Sequence, residues 1–306
     1  MKIKNRTLRK AVSYKYLYLM ILPTVIFLIV FRYVPMYGIL IAFKDFSFKK
    51  GILGSDWAGF EHFITFFKSY SFPVVMKNTI LISLQKIVFG FPAPIILALM
   101  INEIHRPKFK KVIQTAVYLP HFISWVIIAS IGMALFSSRT GAITVPLAQL
   151  LGVEQVEIIN NPDVFQGYLV ITDIWKEIGW GSIIYLAALA GVDPEMYEAA
   201  TIDGANRLQQ MLKITLPSIM PIISIMLILR TSSVLDAGFD QIFNMATDHV
   251  KSVSQIIDTY VYEVGMLKAD YSYASAVGIF KSVIGLVFLF TTNKIVKRLN
   301  GGGGLF

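Results

Sequence analysis

The 306-residue sequence contains no cysteine. It therefore has no disulfide framework, no thiolate metal site and no thiol nucleophile. Its four histidines, His62, His105, His121 and His249, are scattered without metal-ligand spacing, so no metal site is expected. No G-x-x-x-x-G-K-[S/T] segment occurs, so the chain does not hold ATP through a P-loop of its own. No nucleophile–base pairing pattern stands out, and no catalytic residue is assigned. Charge is also scarce, at 15% of residues against about 25% in an ordinary soluble domain. What fills the space is apolar: 55% of residues are hydrophobic and the mean hydropathy is +0.63. That balance points to an all-α, polytopic membrane protein. The net charge of +9 then reads as cytoplasmic loops rich in lysine and arginine, not as a nucleic-acid surface.

Taken in order, the sequence predicts six spans in the lipid bilayer. Residues 1–15 form a basic tail with Lys2, Lys4, Arg6, Arg9, Lys10 and Lys15 and no acid. An apolar run from Tyr16 to Phe31 follows. It resembles a signal peptide in outline, but no small-residue cleavage site comes after it, and Arg32-Tyr33-Val34-Pro35 continues the pattern. Residues 37–72 read as an outer segment with an interfacial helix near Glu61–Lys68. The second span is expected at Val75–Ile101, kinked by Pro92 and Pro94. The third is expected at Val112–Phe136, kinked at Pro120, the fourth at Tyr168–Val192, the fifth at Ser218–Ala237 and the sixth at Ser272–Ile295. The loop Asn102–Lys111 carries Arg106, Lys108, Lys110 and Lys111 against Glu103 alone, which marks it cytoplasmic. Residues 137–166, with Arg139 against Glu154, Glu157 and Asp163 and a short helix near Val145–Leu151, are expected outside. So are residues 238–271. The expected six-helix transmembrane body thus covers 16–298, a cytoplasmic tail covers 299–306, and both termini lie inside at the cell membrane.

The polar stretch 193–217 interrupts this pattern. Asp193 followed by Pro194 is a helix start, with an N-cap acceptor and then proline at N1. Glu195 and Glu198 suit the positive end of that helix. Ala199 and Ala200 keep it slim, and Gly204 supplies a residue that tolerates the left-handed turn after it. Asn206 can cap a second short helix through Lys213, after which Pro217 opens the next apolar run. The physical reading is helix, tight turn, helix. On spacing alone this could be a mere connector between two spans.

The pattern Glu198-Ala199-Ala200, three residues, Gly204, nine residues, Ile214, one residue, Leu216-Pro217 resembles the EAA loop of ABC-importer permeases at every defining position. The fuller text around Ile202-Asp203-Gly204-Ala205-Asn206 looks like the carbohydrate-uptake, maltose-type branch. Further stretches look like its polysaccharide group: Val34-Pro35-Met36-Tyr37-Gly38, Gly90-Phe91-Pro92-Ala93-Pro94, Tyr118 to Trp125, and Ile257 to Tyr262. The resemblance covers nearly the whole chain. It implies a type I importer permease fold, a five-helix core plus an extra first helix. It assigns Glu198, Ala199, Ala200, Asp203, Gly204, Ile214, Leu216 and Pro217 to coupling with a cytoplasmic ATPase. It also implies a second, non-identical permease, two copies of an ATPase that use ATP and magnesium, and an extracytoplasmic solute-binding protein. No cofactor is expected in this chain. The rival classes are a polytopic membrane enzyme acting on glycans or lipids, and a channel.

Ionisable groups within spans are functional candidates. In the fourth span Asp173, Lys176, Glu177 and Trp180 recur at i, i+3, i+4 and i+7, which places them on one helical face with Trp175 beside it. Such a face offers hydrogen-bonding groups for sugar hydroxyls and aromatic surface for sugar C–H groups, and the matching stretch of maltose-type permeases lines the sugar cavity. The competing reading is that these charges only neutralise one another or a charge in the partner permease. The fifth span adds Arg230, Ser232, Ser233 and Asp236, of which Ser233 and Asp236 join the expected saccharide-binding set. Lys86 and Lys281 have no evident place.

Overall fold

The computed structural model describes residues 14–152 and 157–299. The basic residues Lys2 to Lys10, Glu154 and the glycine-rich tail from residue 300 lie outside the described residues. Among the described residues, four helices are long and apolar enough to cross a membrane. They are α1 (Lys15–Phe43), α3 (Ser71–Asn102), α9 (Arg207–Ser232) and α12 (Tyr271–Leu299). Between α1 and α3 lies the short helix α2 (Glu61–Lys68), at the expected position. A two-residue β-pairing, Lys44–Asp45 with Asp56–Trp57, closes the segment before it.

The expected third span is not one kinked helix. It is α4 (Pro107–Phe122) and α5 (Trp125–Phe136), set at 100° to each other. The two residues between them explain the break: Ile123 and Ser124 are extended, and the Ser124 hydroxyl caps the new helix by accepting from the Ile127 N–H. After the short helix α6 (Thr144–Leu151) comes α7 (Pro162–Leu189), capped at its start by the Asn161 side chain. At about 1.5 Å per residue, its 28 residues are ample to cross a bilayer. Its charged and polar residues keep it outside the strictly apolar set, which is why length and composition alone count four or five spans, not six.

Other boundaries also differ from those expected. Helix α1 does not stop at Phe31. A π turn (Ile29–Tyr33) and a 3-10 stretch (Val34–Phe43) carry it past Pro35, because both geometries relax the i→i−4 ladder that proline disrupts. The second helix of the 193–217 loop is not separate from the fifth span. A π turn (Met211–Thr215) fuses the two and absorbs Pro217. The fifth helix ends at Ser232, not Ala237.

Residues 238–271 fold inward as short helices, including α10 (Phe239–Met245) and α11 (Ile257–Tyr262). Gln241, Ile242, Ile256 and Ile257 are fully buried. The reason is charge pairing. Lys86, midway along α3, reaches Gln241 Oε1 at 2.5 Å, and Lys281 of α12 holds both Asp258 oxygens at 2.6 and 2.7 Å. Cations inside spans demand partners, and this segment brings them.

Candidate functional site: a polar cavity and a protruding loop

Helix α7 lies against the second half of α3, with α4 and α9 on its flanks. Gly179 makes the α4 contact possible: a Cβ there would collide with the Val117 carbonyl. Between these helices sits a cavity of about 490 Å³. Asp173, Glu177, Trp180 and Tyr185 of α7 line it, together with Trp125 at the start of α5 and Arg230 of α9. Ser233, just beyond α9, completes this wall.

The charges in and behind the cavity wall have distinct settings. Asp173 Oδ1 accepts from Lys86 Nζ at 2.9 Å. Gln241, which holds the same ammonium, donates in turn to the Leu169 carbonyl at 2.7 Å and to Thr172 Oγ1 at 2.9 Å. The buried lysine thereby has a carboxylate and an amide oxygen as acceptors, which offset its desolvation. Lys176 is also buried. Its ammonium donates to the carbonyls of His121 and, at 2.8 Å, Ile123, and lies 5.6 Å from the Trp125 ring centroid. These carbonyls are the orphan acceptors left by the α4–α5 break, so Lys176 acts as its C-terminal cap. Glu177 faces His121 Nδ1 at 2.8 Å and Lys176 Nζ at 3.8 Å. Trp180 stacks on the His121 ring at 4.5 Å with the planes 2° apart.

Of the residues expected to share one binding face, Asp173, Glu177, Trp180 and Ser233 meet at the cavity. Lys176 points into the protein instead. Trp175 faces a different, apolar hollow beside Ile128, Ile131 and Leu135. Asp236 lines a narrow pocket behind the cavity with Lys86, Arg230 and Ser233. Helical spacing could not separate these, because i+2 and i+3 neighbours diverge as soon as a second helix packs between them. Trp125 and Tyr185, outside the expected binding set, also line the wall. The only sequence signal was the aromatic run from Tyr118 to Trp125, whose bend brings it against α7.

At the far end of α7 the chain enters the loop. Helix α8 (Pro194–Ile202) starts on the Asp193 carboxylate, which accepts from the Glu195 N–H at 3.0 Å. It ends in a Schellman turn. The Ala205 N–H reaches the Ala200 carbonyl at 2.9 Å, the Gly204 N–H reaches Thr201 at 3.1 Å, and Gly204 has φ +80°. Asn206 and Gln209 form a reciprocal capping box at the start of α9. Tyr197 Oη meets Thr215 Oγ1 at 3.0 Å, and Gln210 bonds Thr201 Oγ1 and the Ala205 carbonyl, bracing the two arms. No residue of α8 is buried, and Ile202 at its tip is 87% exposed. Glu198, Ala199, Asp203 and Gly204 lie on the exposed surface, whereas Ile214 and Leu216 pack partly inward at the base.

Known proteins match over nearly the whole chain. Protein LplB of Bacillus subtilis (strain 168) is 45% identical, over 94% of this chain and 91% of its own. The polygalacturonan/rhamnogalacturonan transport system permease protein YteP of the same organism is 42% identical, over 98% and 93%. Among solved structures, a bacterial ABC transporter involved in the import of the acidic polysaccharide alginate superposes with a TM-score of 0.88 and 38% identity, over 96% of this chain and 99% of that one. A second structure of a bacterial alginate ABC transporter, in complex with an alginate pentasaccharide-bound periplasmic protein, superposes equally well. Residues 90–301, which hold the cavity and the loop, match the binding-protein-dependent transport system inner membrane component, and the chain belongs to that family of ABC-importer permeases.

Proposed function

We propose that this chain is the membrane permease subunit of an ATP-driven importer that takes up an oligosaccharide or polysaccharide fragment delivered by an extracytoplasmic solute-binding protein. One observation carries the reading. The exposed loop 193–217 is the direct continuation of the two helices, α7 and α9, that wall the polar cavity. A push on the loop is therefore a push on the cavity.

In this reading the slim face of Glu198, Ala199 and Ala200, with the turn at Asp203–Gly204 and the apolar tip at Ile202, docks into a cleft of a cytoplasmic ATPase. Ile214, Leu216 and Pro217 anchor the loop to α9. A pair of ATPases binds ATP and magnesium, and this chain supplies none of that chemistry. A second, non-identical permease closes the open side of the cavity. Both termini and Asn206 face the cytoplasm. Within the cavity Trp180 presents its ring to sugar C–H surface, while Asp173, Glu177 and Ser233 offer hydrogen-bonding groups to hydroxyls.

The test is reconstitution of the full assembly in vesicles. ATP-dependent uptake of oligosaccharide, lost or reduced in Trp180→Ala and Glu177→Ala with the ATPase still bound, is the expected result. Flux without ATP would make the protein a channel, and covalent change of a glycan or lipid without transport would make it an enzyme. Because the chain lacks cysteine, a single cysteine at position 199 should crosslink to the ATPase. One at 206 should stay unlabelled by an impermeant thiol reagent applied to intact cells.

A further inference from the structure

Lys86, Lys176, Lys281 and Arg230 are cations drawn into the interior of the spans, and the first three are accounted for. Lys86 is paired with Asp173, Lys281 with Asp258, and Lys176 with two carbonyl oxygens. Arg230 is the exception. Among the described residues, no carboxylate lies within 4.0 Å of its guanidinium and no acceptor is hydrogen-bonded to it. Yet it is half-buried, near the end of α9, and lines the cavity. Arginine does not shed its charge as a lysine can, so an unpaired guanidinium in a span is a standing electrostatic cost.

The neighbouring groups do not cancel it. Lys86 shares the narrow pocket behind it and repels it. Asp236 lines that pocket too, but not within ion-pair distance and not on the cavity wall. The two acids that do face the cavity are already engaged, Asp173 by Lys86 and Glu177 by His121 and Lys176. The cavity thus presents one uncommitted cation beside two indole rings, Trp125 and Trp180.

We propose that Arg230 reads the carboxylate of an acidic sugar unit in this cavity, so that the transported saccharide is a uronate-containing one. This rests on the saccharide-importer reading above. A guanidinium offers a planar fork that matches a carboxylate with two parallel hydrogen bonds. A neutral sugar needs no such fork, and its hydroxyls cannot discharge the charge. Ser233, one turn on, can take a hydroxyl of the same unit.

The experiment uses the purified permease pair with its ATPase, and binding is read by isothermal titration calorimetry. The assembly is titrated with trigalacturonate and with galactotriose, the trimer with a primary alcohol in place of each carboxylate. Tighter binding of the acid by about 10-fold or more is expected. Arg230→Gln should abolish that preference, weakening trigalacturonate far more than galactotriose, and Arg230→Lys should keep part of it. Equal binding of both trimers by the parent, or a preference that survives Arg230→Gln, overturns the inference. Loss of the partner permease in Arg230→Gln, restored by Arg230→Lys without any preference for the acid, assigns the arginine to an inter-subunit ion pair and overturns it too. If galactotriose and other neutral saccharides are taken up with ATP while trigalacturonate neither binds nor is carried, the importer reading stands and this inference falls. If no saccharide is taken up at all, both fall.

Discussion

Replacing Gly204 separates a coupling element from a connector. Its φ of +80° sits in the left-handed region, where a side chain costs about 1–2 kcal/mol and a β-branched one up to about 3 kcal/mol. A Cβ there meets nothing within 4 Å, so inside this chain the whole penalty is backbone strain. Helix α8 buries no residue, so the penalty falls on the local Schellman turn and not on the core. A cost of about one to three kcal/mol lowers the population of the formed turn by about 5- to 160-fold. In Gly204→Val, amides at 203–206 should exchange faster, and ATPase retention on the purified permease pair and uptake should both fall. The chain's melting point should stay close to that of the parent. Gly204→Asn isolates the second effect, because asparagine tolerates this conformation. It should keep amide protection yet still weaken retention, since its side chain projects from a tip that must enter a cleft. A Gly204→Val protein that retains its ATPase and transports at the parental rate would refute the reasoning.

Lys86→Met leaves Asp173 as an unmatched, half-buried carboxylate and Gln241 Oε1 without its donor. A loss of about 3–5 kcal/mol is expected, read as a lower melting temperature in detergent and partly recovered by adding Asp173→Asn; a parental melting point would refute it. Lys176→Met should cost about 1–3 kcal/mol, the penalty of leaving buried acceptors unmet, and should raise protease sensitivity at the α4–α5 break, whereas Glu177→Gln should leave that break intact. Glu263, outside the spans, is held below the usual carboxylate range by hydrogen bonding to Lys251 at 2.8 Å and, at 3.0 Å, Lys268. A depressed folded-state pKa means stability that is present above the unfolded value of about 4.3 and lost as pH falls through the folded one. Local exchange around 251–268 should therefore rise below about pH 4.3, and Glu263→Gln should flatten that dependence.

The sequence by itself determined the class of the protein and the form of its loop. Scarce charge and long apolar runs leave a chain no option but to bury helices in lipid. Asp193-Pro194, Gly204 and Asn206 act on backbone groups within four residues of themselves, so caps and turns could be read without a fold, and the structure places each as expected. The tertiary structure decided which polar residues meet. In the sequence Lys86 and Lys281 show no partner, and only packing shows that Asp258 and Gln241 answer Lys281 and Lys86 from 23 and 155 residues away. Spacing put Lys176 and Trp180 on one face of α7, but the 100° bend between α4 and α5 turns Lys176 into a cap and leaves Trp180 on the wall. Short-range rules fix what a residue does to its own backbone. A charge in a low-dielectric interior is settled by whichever partner the fold delivers, and that partner can come from anywhere in the chain.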